Sequence, residues 1–120
     1  MKTHLETKAL FAGYNPADNH GAVKPPIHPA STFVFPSAAV GAAHMETAYG
    51  VEGAETPPEG GFIYSRLGNP TLSVAETRLA AWDESDAAAF FASGMAAIST
   101  MLFALTSSDK PLWYVGPLYG

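Results

Sequence analysis

Polar and apolar positions segregate most sharply over residues 87–106. Ala88, Ala89, Phe90 and Phe91 form a short apolar run, Ser93-Gly94 interrupts it, and residues 95–106 carry polar side chains only at Ser99, Thr100 and Thr106. The run is too short for a helix and too apolar for a surface loop, so it predicts a buried strand. Ser93 predicts an N-cap, Gly94 a close backbone approach, and the residues that follow a helix surrounded by protein. A strand that turns through Ser-Gly into a helix aims free backbone N–H groups and the positive end of the helix dipole at one point. An anion such as a phosphate can sit there, although a strand-to-helix turn with nothing bound accounts for the same motif.

A second helix start is written at Asn69-Pro70-Thr71, with Asn as N-cap and Pro at the first helical position. Leu72, Ala75, Leu79 and Trp82 then share one face, Ser73 and Thr77 the other, and the helix is expected to end near Asp83. Leu112-Trp113-Tyr114-Val115 predicts a second buried strand, closed by Gly116-Pro117.

Upstream the periodicity is weak. Residues 3–11 have loose helical spacing up to Gly13, Tyr14-Asn15-Pro16 reads as a turn, and Lys24-Pro25-Pro26-Ile27-His28-Pro29 is expected to be extended because its prolines fix φ and remove donors. That run can be an arm over a surface or a ligand for peptide recognition. Residues 31–36 alternate briefly, as in a short strand, and Ser37 caps a short helix through Val40, Ala43 and His44. Residues 49–61, with four glycines, two prolines and three glutamates, predict a mobile loop. The expectation is an α/β chain: an extended N-terminal arm over residues 1–60, then the start of an α/β domain over 61–120. Two strands and two helices are too few to cover a parallel sheet on both faces, so the chain reads as the N-terminal part of something longer or as one completed by partners.

Composition narrows the function classes. The net charge is −5, and the six basic residues are scattered singly, which leaves no electrostatic footprint for nucleic acid. Charged residues make up 14% and hydrophobic ones 48%, so much of this surface is expected to lie against other protein. There is no cysteine, and His4, His20, His28 and His44 lack metal-ligand spacing, so no metal site is expected. The N-terminus lacks the apolar core of a signal peptide, and the longest apolar stretch is well short of the roughly 20 residues that span a bilayer. A soluble cytoplasmic protein without membrane contact is the resulting expectation.

Tyr64-Ser65-Arg66 lies between the predicted loop and a helix cap. Arginine presents a planar fork matched to phosphate oxygens and tyrosine adds a hydroxyl donor, although a surface arginine paired with a glutamate is the plainer account. Tyr119 follows the second predicted strand, where open α/β sheets bind ligands; tyrosines in such places are also often only packed there. Nothing matches a nucleophile elbow or a Walker loop.

Taken together, Tyr64-Ser65-Arg66-Leu67-Gly68-Asn69-Pro70-Thr71, then Ala92-Ser93-Gly94-Met95-Ala96-Ala97-Ile98, then Leu118-Tyr119-Gly120 resemble the N-terminal part of the Cys/Met-metabolism family of pyridoxal-phosphate (PLP) enzymes. That family includes cystathionine γ-synthases, cystathionine γ-lyases, methionine γ-lyases and homoserine-ester sulfhydrylases. Thr7-Lys8-Ala9-Leu10-Phe11-Ala12-Gly13, Pro25-Pro26-Ile27 and Ser31-Thr32-Phe33 also match its usual opening.

The resemblance implies a fold-type I large domain, here truncated, with PLP as cofactor. It implies that Ser93, Gly94 and Met95 bind the cofactor phosphate, the latter two through backbone N–H groups. Tyr64 and Arg66 would reach the same phosphate in a neighbouring subunit. Tyr119 would stack on the pyridine ring and assist proton transfer, as the one catalytic residue carried over. It further implies a homotetramer built from dimers with shared sites, an N-terminal arm wrapped around a partner, and small amino-acid substrates that undergo γ-elimination or γ-replacement. The Schiff-base lysine, the aspartate facing the pyridine nitrogen and a later phosphate-binding Ser/Thr belong to regions after Gly120. None of the four lysines lies in the matching context, so the chain alone is expected to be inactive. His28-Pro29 stands where the family more often has Tyr-Gln, and residues 49–61 look longer than usual. A truncated, non-catalytic oligomerisation or binding fragment of the same family is the alternative, and a simple phosphate binder using only Gly94 and Met95 a third.

Overall fold

The computed structural model describes residues 4–54, 57 and 61–119, and the chain divides into one unit ending at Ala88 and another beginning at Ala89. The first unit holds α1 (Leu5–Phe11), a 3-10 helix (Pro16–Asn19), α2 (Ala38–Ala48) and α3 (Pro70–Trp82). α1 packs on α3. Arg78 Nη2 donates to the Leu10 carbonyl at 2.8 Å, and Gly13 brings the chain so close that a Cβ there would stand 2.7 Å from Thr77 Cβ.

Asn15 turns the predicted bend into the 3-10 helix by accepting a hydrogen bond from the Ala17 N–H at 3.1 Å. The Tyr14 hydroxyl then lies 2.6 Å from the Ala22 carbonyl oxygen, which holds the start of the proline-rich run. α2 is capped by Ser37, whose Oγ accepts from the Val40 N–H at 3.3 Å. It buries His44 in a stack against Phe35, with ring centroids 5.3 Å apart and planes at 26°. α3 begins as its sequence requires: Asn69 Oδ1 accepts from the Thr71 N–H at 2.9 Å, Pro70 needs no donor, and Asp83 closes the helix.

The second unit is organised by α4 (Gly94–Leu105). Ser93 caps it, its Oγ accepting from the Ala96 N–H at 3.1 Å, and Thr106 ends it. Ser107 and Lys110 form an isolated antiparallel bridge, and within that turn Ser107 Oγ donates to Asp109 Oδ1 at 2.6 Å. This hydrogen bond, with a backbone one, holds the exposed Asp109 carboxyl below its ordinary range. Ser93→Ala is expected to cost about 1 kcal/mol of helix stability and to speed exchange of the Ala96 amide by about fivefold, read by hydrogen exchange.

Four expectations are corrected. Residues 88–91 and 112–115 are not strands, and residues 31–36 contribute only the isolated antiparallel bridge from Thr32 to Tyr64; among the described residues there is no β-strand. A strand is made by ladder pairing with a neighbour, and among the described residues the isolated bridges join Thr32 to Tyr64 and Ser107 to Lys110 rather than 88–91 or 112–115. The α/β expectation is therefore met by helices alone among the described residues. Nor is α4 surrounded by protein: none of its residues is buried, and Phe103 is 84% exposed. Its apolar character is as expected, with Ala96, Ala97, Ser99 and Leu102 only partly covered. The predicted loop over 49–61 lies partly outside the described residues; Gly50 and Gly53, at φ 65° and 81°, make its observed turns.

Candidate functional site

Residues 63–71 form a short bend pinned to residues 28–33. The Phe33 N–H donates to the Ile63 carbonyl at 3.3 Å and the Ser65 N–H to the Ser31 carbonyl at 2.9 Å. The Leu67 and Gly68 N–H groups then fold back onto the Tyr64 carbonyl, at 2.8 and 3.1 Å. Asn69, nearly fully buried, caps α3 and also donates through Nδ2 to the His28 carbonyl and to Ser65 Oγ. With Ser65 drawn inward, its neighbours Tyr64 and Arg66 are both exposed. The Arg66 guanidinium lies over the Tyr64 ring, 5.3 Å from its centroid. Cation and phenol thus stand together on one side of the bend, a pairing the sequence permitted and the backbone arrangement produces.

In the second unit the first turn of α4 uses Ser93 twice. Its Oγ takes the Ala96 N–H, and its carbonyl takes the Ala97 N–H at 3.1 Å. The cap therefore leaves the Gly94 and Met95 N–H groups as the first-turn donors for a ligand. A Cβ at Gly94 would meet nothing within 4 Å, so the approach to these amides is open. Met95 itself is 68% exposed. Tyr119 is fully exposed, with both ring faces accessible, and Gly120, the last residue of the third motif, lies outside the described residues. Tyr64 and Arg66 are thus brought together in the first unit, while Ser93, Gly94 and Met95 form one helix start in the second.

Sequence reasoning missed Ser65 as an anchor and gave Asn69 only its capping role. A serine four positions before a capping Asn is the signal that was available: the turn over residues 64–68 brings the Ser65 hydroxyl within reach of Asn69 Nδ2. Among the described residues no three His, Asp or Glu side chains are grouped to hold a metal ion, and no helix is long and apolar enough to cross a membrane.

Comparison with known proteins bears on what such groups serve. The family model described as Cys/Met metabolism PLP-dependent enzyme matches residues 6–120. The L-methionine gamma-lyase of Pseudomonas deceptionensis is 36% identical over 97% of this chain and 27% of its own length. The homocysteine/cysteine synthase of Kluyveromyces lactis is 36% identical over 100% of this chain and 25% of its own. The cystathionine gamma-synthase of Mycobacterium bovis is 40% identical over 82% of this chain and 21% of its own. The chain spans about a quarter of the length of these curated relatives.

Proposed function

The chain belongs to the Cys/Met metabolism family of PLP-dependent enzymes, and from that premise we propose that it supplies phosphate-binding and ring-stacking groups to the PLP site of a sulfur amino-acid enzyme. The reading is supported above all by the pairing of Arg66 with Tyr64 on an anchored bend, a cation and a hydroxyl donor turned to the exterior. The donor chemistry fits a phosphate monoester: a guanidinium fork, a phenol, and an unhindered helix start with its two first amides.

The roles follow from the chemistry of each group. Ser93 fixes the helix start, Gly94 and Met95 donate backbone N–H groups to phosphate oxygens, and the dipole of α4 favours the negative charge. Arg66 and Tyr64 of a second copy neutralise and orient the same phosphate, which makes each site a product of two chains. Tyr119 stacks on the pyridine ring and moves a proton at its Oη. PLP, when bound, supplies an electron sink for carbanionic chemistry at an amino acid. On this reading the complete protein is a cytoplasmic homotetramer, residues 1–60 wrap a partner, and the site belongs to a fold-type I domain. It catalyses γ-elimination or γ-replacement on methionine, cystathionine or O-acyl-homoserine type substrates.

The test is direct. The complete polypeptide carrying this sequence, loaded with PLP, is expected to release a 2-oxo acid, ammonia and a thiol from L-methionine or L-cystathionine, or to replace the acetoxy group of O-acetyl-homoserine with a thiol at the γ carbon, releasing acetate. Retention of PLP without cleavage at the γ carbon of any of the three refutes the substrate class.

A further inference from the structure

The bend that carries Tyr64 and Arg66 is not held by either of them. Asn69, 8% exposed, spends both kinds of hydrogen-bonding group inside the protein. Its Nδ2 donates to the His28 carbonyl at 3.0 Å and to Ser65 Oγ at 2.9 Å, while its Oδ1 accepts from the Thr71 N–H at 2.9 Å. Ser65 continues the chain by donating from Oγ to the Ala30 carbonyl, and its N–H is held by the Ser31 carbonyl at 2.9 Å. Thr71 Oγ1 closes it by accepting from the His28 N–H at 2.9 Å. The residue between the two exposed side chains is thereby fixed at its backbone and at its side chain.

An arginine brings about 2 kcal/mol of rotamer entropy to any geometry it must hold, so a fork aimed at phosphate depends on a backbone that does not move. We propose that Ser65 and Asn69 are positioning residues: the hydrogen-bond chain Asn69–Ser65–Ala30 holds the backbone from which Arg66 reaches the cofactor phosphate. This rests on the reading of Arg66 as a phosphate ligand, and neither Ser65 nor Asn69 touches the phosphate itself.

Two variants separate positioning from plain stability. Asn69→Asp keeps the acceptor that caps α3, since Asp caps as well as Asn, but loses both donated bonds. Ser65→Ala removes the link without adding charge. In the complete polypeptide, apo protein is titrated with PLP and binding is followed by absorbance, with helix content read by circular dichroism. Each variant removes two hydrogen bonds that hold the bend rather than the phosphate, and is expected to raise the dissociation constant about three- to tenfold, part of their combined effect, with helix content unchanged. In an Arg66→Ala background the same changes are expected to matter by less than about twofold, because the group they position is gone.

Equal losses in both backgrounds, silence of either variant in the unmodified protein, or loss with Asn69→Asp alone each overturn the proposal. If Arg66→Ala by itself leaves PLP affinity unchanged, the phosphate-ligand reading fails and takes the positioning role with it. If Arg66→Ala weakens binding while Ser65→Ala and Asn69→Asp do not, only the positioning role fails.

Discussion

Arg66→Ala in the complete polypeptide is expected to raise the PLP dissociation constant by about ten- to a hundredfold while leaving the fold nearly as stable as before. Hydrogen bonds to charged groups contribute about 1.5–3 kcal/mol, and every 1.4 kcal/mol is a factor of ten in affinity. The cost to the folded chain is far smaller. Arg66 is exposed, and its contact with the Tyr64 ring at 5.3 Å is of the kind that contributes about 0.5–1 kcal/mol at such sites. Arg66→Lys is expected to recover only part of the affinity, because an ammonium keeps the charge but not the planar fork. Titration of apo protein with PLP and denaturant unfolding of the same samples separate the two quantities. Unchanged affinity, or affinity lost only in step with unfolding, removes Arg66 from the site.

Gly13→Ala is expected to destabilise the first unit by about 2–5 kcal/mol. Two terms add. The backbone at Gly13 has φ +68°, a conformation that costs an L side chain about 1–2 kcal/mol. The new Cβ would also stand 2.7 Å from Thr77 Cβ, and overpacking of that kind costs about 1–3 kcal/mol. Thr77 Cβ is attached directly to the backbone of α3, so it cannot swing aside as the end of a long side chain would. α1 must instead lift from α3, against the 2.8 Å bond from Arg78 to the Leu10 carbonyl. Gly21 is the internal control: its φ is +79° but a Cβ there would meet nothing within 4 Å, so Gly21→Ala should show the conformational term alone. Urea unfolding midpoints measure the difference. Equal losses at the two positions would show that the close approach of α1 to α3 is not what Gly13 serves.

The parts of this chain that were legible in advance are those whose reasons are local. Ser37, Asn69 and Ser93 each announce a helix start because a side-chain oxygen satisfies an N–H two or three residues on, and all three do so. The end of α3 at Asp83 followed from the same short-range logic. Residues 88–91 and 112–115 misled because an apolar run specifies burial without specifying the partner, and a strand is made by its neighbour. The bridge between Thr32 and Tyr64 marks the difference: where a neighbour exists, the pairing begins.

By itself the sequence announced the capped helix starts at Ser37, Asn69 and Ser93 and the family to which the chain belongs, but not the reach of α2 to Ala48 or the 3-10 helix at Pro16–Asn19. Only the tertiary structure decided that Ser65 faces inward to Asn69 while Tyr64 and Arg66 face out together, and that Gly13 serves a contact with Thr77. The reason is range. A cap is settled within one helical turn, whereas the bond from Asn69 to the His28 carbonyl spans 41 positions and exists only once two distant stretches have met.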